Sequence, residues 1–301
     1  YPTIQALAKE CVDSSHIHQL GAVSLRSTGE DTPLFLVHEV YGEFLAWGTR
    51  LTRSLDKNIP VYGLAAEPPA NLTLRTMQGM AARLVQAIRA IQPKGPYRIA
   101  GWSFGGMLAY EVAAQLISND DQVEFLGLLD TRVHILDAEL HDAAILKRLI
   151  LNNYSSPGII EEVDTVDSTD LDALWQKYQE LSLVPENLFS LSMADLRLYF
   201  SRYRTHIQAL KAYEIQPINI PIHLFIAQDD VADDLTHGWS KVLPAACLSL
   251  IPVPGSHGSM MDEPNVITLG RELSRCLHKK SEAISPKERH VDANKSTNLV
   301  H

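Results

Sequence analysis

Along the chain, short apolar runs alternate with longer stretches whose apolar positions recur at helical spacing. Leu34-Phe35-Leu36-Val37, Asn58 to Leu64 (NIPVYGL), the residues from Tyr97 and Glu124 to Asp130 (EFLGLLD) are near-continuous apolar runs. Strands covered on both faces of a parallel sheet have that composition. Between them, Phe44 to Leu55, Thr73 to Gln92 and Met107 to Leu116 carry helical periodicity, with Met77, Met80, Leu84 and Ile88 on one face of the second. Residues 22 to 27 (AVSLRS) alternate like an edge strand and end in the polar turn Ser27 to Asp31. Strand, helix, strand, helix, strand is the order of a doubly wound α/β sheet with right-handed crossovers.

The alternation breaks after Val133. From there to about Pro217 only helical patterns occur, near Asp137 to Leu151, Asp170 to Leu183 and Ser192 to Tyr213. Sheet signals resume at Ile220 to Ala227 and again at Ala246 to Val253, and a helix follows from about Glu263 to Leu277. The helical stretch is therefore expected to be an insertion, about 133–217, capping the sheet rather than a separate domain. Residues 1–20 open with Pro2, then Ile4, Leu7 and Ala8 at helical spacing, an apolar side with nothing local to cover. Residues 279–301 are charged and nearly free of large apolar side chains, the composition of a disordered tail.

Composition narrows the classes. At 301 residues the chain can bury one large α/β core, and 46% hydrophobic content is ordinary for a globular protein. A formal net charge of -10, without a basic run in the body, argues against nucleic acid and anionic membrane surfaces. Cys11, Cys247 and Cys276 are odd in number and widely spaced, so neither a disulfide framework nor a zinc site is indicated and a reducing, cytoplasmic setting fits. No apolar run approaches the roughly 18 residues needed to cross a bilayer.

The chemistry gathers around Gly101-Trp102-Ser103-Phe104-Gly105-Gly106, which sits between a strand pattern and a helix pattern. A serine on so sharp a turn is strained, and large side chains two residues either side would clash, hence glycine at 101 and 105. The turn pushes the Ser103 hydroxyl out of the sheet and puts a helix N-terminus behind it, where backbone N–H groups face a developing oxyanion. The oxyanion donors expected are the Phe104 N–H and one from the loop after the Leu34 strand, His38 to Gly42, with Val40 first and Tyr41 second.

Such a nucleophile needs a base. Of 12 histidines, His257 lies in the glycine-flanked loop after the last strand, from which it can reach across the sheet edge to Ser103. His16, His18, His141, His206, His223, His237, His278, His290 and His301 fall in segments read as linker, lid, strand or tail and are taken as structural or exposed. His134 stands at the lid entrance, and His38 belongs to the first loop. For the acid that orients His257, both Asp130 and the pair Asp229 and Asp230 follow sheet strands at their carboxyl ends, where sites of open α/β sheets collect. The residues themselves leave that choice open.

Together these segments resemble the terminal thioesterase domains of nonribosomal peptide synthetases, members of the α/β-hydrolase superfamily. The resemblance runs from about Leu34 to Cys276 through Phe35-Leu36-Val37-His38, Val61-Tyr62-Gly63-Leu64, the elbow, Leu128-Leu129-Asp130, and Gly255-Ser256-His257-Gly258 with Met260 to Pro264. It implies an α/β-hydrolase fold over 21–278 with a helical lid, and an acid at Asp130, with Asp229 in reserve. It implies no bound cofactor: the substrate arrives as a thioester on the phosphopantetheine arm of an upstream peptidyl carrier domain, and residues 1–20 are similar to that carrier's last helix and linker. The family's first loop often carries His-Pro and further glycines, whereas Glu39, Val40 and Tyr41 precede a single Gly42 here. That departure leaves the second oxyanion donor open and raises the idea that Glu39 and Tyr41 select substrate. The implied activity is release of a peptidyl or acyl chain by hydrolysis or macrocyclisation. The rival readings are a stand-alone editing thioesterase, a small-molecule serine esterase, and a non-catalytic binding protein on the same fold.

Overall fold

A strand whose two faces are both covered must supply apolar side chains to each in turn, and strand β2 (Leu34–Val37) does so with every residue buried. Phe35 and Val37 join one core, while Leu34 and Leu36 join another on the opposite face. The computed structural model describes residues 21–68, 73–133, 140–153, 163, 170–184, 191–230 and 234–279. Among them the other strands are β1 (Ala22–Arg26), β3 (Val61–Leu64), β4 (Tyr97–Trp102), β5 (Val123–Leu129), β6 (Ile222–Ala227) and β7 (Leu248–Val253). They form one seven-stranded sheet in the order β1-β3-β2-β4-β5-β6-β7. β1 pairs antiparallel with β3, and every other pair is parallel.

Helices cover both faces. Against the first core pack α2 (Met77–Ile91) and α3 (Phe104–Ser118), through Met80, Leu84, Leu108 and Val112. Against the second pack α1 (Leu45–Ser54) and α7 (Asn265–His278), through Trp47, Leu51, Leu269 and Leu273. Between β5 and β6 the chain leaves the sheet for α4 (Asp142–Asn153), α5 (Leu171–Glu180) and α6 (Met193–Lys211). These three share a separate apolar cluster that includes Ile145, Trp175, Phe200 and Tyr203, and Tyr41 from the loop after β2 inserts into it. The fold is therefore a mostly parallel α/β sheet carrying a helical insertion.

Several boundaries move inward from the sequence reading for local reasons. The helix expected from Thr73 starts at Met77 because the Thr76 hydroxyl accepts the Gly79 N–H as N-cap. The strand expected from Ala246 starts at Leu248 because Ala245–Cys247 turn as a short 3₁₀ segment after Pro244. α6 begins at a capping box in which Ser192 and Asp195 satisfy each other's backbone N–H groups. The carrier-like opening, 1–20, and the tail from 280 lie outside the described residues. Among the described residues no helix is long and apolar enough to cross a membrane.

Helix α7 lies so close to the end of α1 that a Cβ on Gly270 would stand 2.6 Å from the Ser54 carbonyl oxygen. Glycine to alanine inside a helix ordinarily stabilises by up to about 1 kcal/mol. Here Gly270→Ala is expected to destabilise by about 1–3 kcal/mol, as overpacking does. Urea titration checks the sign: the midpoint falls while the slope is unchanged.

Candidate active site

The centre of the site is the junction of β4 and α3. Ser103 occupies it with φ 57 and ψ -122, a region that L residues avoid and that costs on the order of 1–3 kcal/mol. Glycine at 101 and 105 is what makes the turn feasible. A Cβ at Gly101 would fall against the Gly105 carbonyl and 2.6 Å from Gly106 N, and one at Gly105 would stand 2.5 Å from the His38 carbonyl oxygen. The Ser103 N–H donates to the Leu129 carbonyl at 2.9 Å, which ties the turn to the end of β5.

Just after β5 stands Asp130, fully buried and itself at positive φ, 45. Its N–H donates to the Phe225 carbonyl at 2.7 Å, and its Oδ1 accepts the Ala227 N–H at 3.0 Å, so β6 fixes the carboxylate. Its Oδ2 lies 2.7 Å from His257 Nδ1, and His257 Nε2 lies 3.0 Å from Ser103 Oγ. Burial works to raise the Asp130 pKa. The His257 hydrogen bond and charge and the Ala227 N–H outweigh it and hold the carboxyl below its usual range. An ionised Asp130 accepts only, so Nδ1 carries the proton and Nε2 is left to accept from the Ser103 hydroxyl.

The His257 loop is held by both neighbours of that line. Its backbone N–H donates to Asp230 Oδ2 at 2.7 Å, its carbonyl accepts the Trp102 indole N–H at 3.1 Å, and the two rings lie 5.4 Å apart. The structure thus brings Ser103, His257 and Asp130 together. Asp229 stays apart: its backbone N–H bonds the Gly255 carbonyl, and among the described residues nothing joins its carboxylate to His257.

The loop after β2 uses almost all of its own donors. The Glu39 N–H bonds the Glu43 carbonyl, the Gly42 N–H bonds the Glu39 carbonyl, and the Tyr41 and Glu43 N–H groups both donate to the Glu39 carboxylate at 3.0 Å. Tyr41 is therefore corrected as an oxyanion candidate, since its N–H is already occupied. Among the described residues neither the Val40 nor the Phe104 N–H has an acceptor. Glu39 and Tyr41 are also turned away from the open side. Glu39 is buried beneath the loop, and the Tyr41 ring stacks on Tyr199 and Tyr203 at 5.0 and 4.9 Å.

Three histidines read as structural or assigned only to the loop lie close to this chemistry. His206 on α6 is buried, and its ring stacks on Phe104 at 4.8 Å and on His38 at 5.2 Å. His237 is buried with Nδ1 3.7 Å from Asp130 Oδ1. The signal for His206 was present in the sequence: Tyr199, Arg202, Tyr203 and His206 fall on one face of a helix, an unusually polar face to turn inward. A small recess is lined by His38, Arg83, Leu84 and His206, and neither Ser103, Asp130 nor His257 lines it. Among the described residues no three His, Cys, Asp or Glu side chains are grouped to hold a metal ion.

Sheet order, elbow and helical insertion define an α/β-hydrolase fold. A family model described as thioesterase domain matches residues 32–269, and the chain belongs to that family. It is 29% identical over 88% of its length to atromentin synthetase invA2 of Paxillus involutus, and 27% identical over 93% to vanchrobactin synthetase VabF of Vibrio anguillarum. The chain spans 30% of the length of the first and 9% of the second. Among solved structures, the thioesterase domain of NocB from the nocardicin cluster matches with a TM-score of 0.61 at 24% identity, over 85% of this chain and 98% of that one. A four-domain nonribosomal peptide synthetase matches with a TM-score of 0.72 at 24% identity, over 85% of this chain and 20% of that one.

Burial raises the Glu39 carboxyl from 4.5 to about 7 against the two N–H groups it accepts. A carboxyl whose folded pKa is raised contributes stability below its unfolded value and loses it as pH rises through the folded one. Between pH 4.5 and about 7 the Glu39 contribution to stability therefore falls with rising pH. Glu39→Gln is expected to flatten that part of the profile, so that the Tm difference between the two proteins changes by several degrees across the interval. Thermal unfolding over this pH range checks it; parallel profiles would contradict the assignment.

Proposed function

We propose that the chain releases a peptidyl or acyl group from the phosphopantetheine thioester of a carrier domain through an acyl-serine intermediate. The observation that carries the reading is the unbroken line Asp130, His257, Ser103 at 2.7 and 3.0 Å. His257 Nε2 takes the Ser103 proton as Oγ bonds to the thioester carbonyl carbon. The Phe104 and Val40 N–H groups, both without an acceptor among the described residues, are the donors suited to the oxyanion. Collapse breaks the C–S bond, and the imidazolium returns the proton to the departing thiolate.

A second nucleophile then gives its proton to His257, attacks the acyl-serine and frees the Ser103 hydroxyl. Water yields the linear acid, and an amine or hydroxyl of the bound chain yields a macrocycle. The helices α4 to α6 supply the cover that would keep bulk water from the acyl-enzyme. The family membership and the synthetase relatives support a carrier-bound substrate.

The test is incubation with a panel of acyl and peptidyl N-acetylcysteamine thioesters, following product mass. Thioester turnover that vanishes in Ser103→Ala is expected, and the product mass separates hydrolysis from cyclisation. Activity on simple esters with none on any thioester would defeat the carrier reading. Asp130→Asn is expected to lower kcat by roughly 10⁴-fold, as removal of the orienting charge does in such triads. Asp229→Asn is expected to leave kcat within about 3-fold, since its carboxylate has no contact with His257 among the described residues. The reverse order of effects would transfer the acid to Asp229.

A further inference from the structure

The loop that supplies Val40 is anchored to the helical insertion as well as to the sheet. His206 Nδ1 lies 2.7 Å from the Val40 carbonyl oxygen, and a carbonyl only accepts, so the imidazole donates. One turn earlier on α6, Arg202 donates from Nη1 to the Tyr41 carbonyl at 2.8 Å and stands 3.7 Å from the Glu43 carboxylate. The guanidinium lies over Gly42, at φ 84, where a Cβ would approach Arg202 Cδ to 2.6 Å. The Tyr41 ring is part of the apolar cluster of α4 to α6. Two carbonyls, one ring and one glycine of a five-residue loop are thus gripped by a single helix.

We propose that His206 and Arg202 are positioning residues for the Val40 amide, so that α6 sets the second donor of the oxyanion hole. The inference rests on the acyl-serine reading above. The geometry explains why two polar side chains are buried on an inward helix face. The Val40 N–H lies on the peptide whose oxygen is that of Glu39, held by His38 Nδ1 at 2.9 Å and the Gly42 N–H at 2.8 Å. His206 fixes the following peptide at the Val40 oxygen and Arg202 the one after it, so α6 acts on the donor through the backbone on the far side of the Val40 Cα. Burial lowers the His206 pKa to about 4, so the ring is neutral near pH 7 and one nitrogen retains a proton to donate. His206 also stacks on Phe104, whose N–H is the other expected donor, so one imidazole touches both arms of the hole. A displacement of α6 by an acyl chain entering beneath the helices would be transmitted to the Val40 donor.

The experiment compares His206→Asn with His206→Gln. Both lose the ring and its stacking, but the asparagine amide falls near the position of Nδ1, whereas the glutamine amide falls near that of Nε2. The readout is the rate at which an alkyl fluorophosphonate labels Ser103, followed by intact mass, because its phosphoryl oxygen needs the same donors. The expected result is a maximal labelling rate lowered by about 10- to 100-fold in His206→Gln, somewhat less than loss of a donor itself. His206→Asn should stay within about 3-fold of wild type, and the half-saturating probe concentration should not change in either.

Arg202→Lys against Arg202→Met makes the same comparison at the Tyr41 carbonyl, and stands in if His206→Gln does not remain folded. Equal labelling within each pair, with Ser103→Ala unlabelled, overturns the inference and leaves the acyl-serine reading in place. Labelling of Ser103→Ala at the wild-type rate overturns both.

Discussion

The structure depends on a constraint at one point: Ser103 must hold a backbone conformation that costs free energy, at the end of the central strand β4. Its surroundings are arranged to tolerate it. Glycine at 101 and 105 removes the atoms that would collide, and the Ser103 N–H is tied to β5 at the Leu129 carbonyl. Asp130, the residue just after β5, adopts a second positive φ and turns its carboxylate toward the same rim. Two strained residues on adjacent strands aim their side chains at one imidazole. Strain concentrated there is what a preorganised site requires, because reorganisation during reaction is then unnecessary.

The second layer of organisation joins sheet and insertion. An open α/β sheet presents its carboxyl edge to solvent, and chemistry there needs cover. The helices α4 to α6 form their own apolar cluster, and α6 also enters the first core through Ala209 and Leu210. The loop after β2 is one anchor, through Tyr41 in that cluster and through the Arg202 and His206 bonds to its carbonyls. Glu39 completes the arrangement by consuming the N–H groups of Tyr41 and Glu43, which leaves Val40 as the donor in the loop without an acceptor among the described residues.

The alternation of fully apolar strand runs with amphipathic helices was legible because a parallel sheet covered on both faces erases period-two patterning. Ser103 and His257 were legible because each sits at a strand end among glycines, a local signature. The acid was not legible from residues alone, since Asp130 and Asp229 both follow strands; what distinguishes them is the positive φ and the β6 contacts of Asp130, which are tertiary facts. His206 and Arg202 escaped for a similar reason. The polar helix face they share is visible in the sequence, but the carbonyls they bond lie more than 150 residues away, and backbone acceptors leave no mark on side-chain identity. The burial of Glu39 was not legible either, because an acid in a short polar loop is ordinarily exposed.

The proposed chemistry requires Ser103 and His257 to act as one unit. The direct measurement is a mutant cycle on kcat/KM for thioester release, with Ser103→Ala, His257→Ala and the double variant. Groups that act together are not additive, so the double variant should be no slower than either single one. A loss in the double variant equal to the product of the two single losses would mean that the hydroxyl and the imidazole contribute independently, and the proposed relay would be wrong.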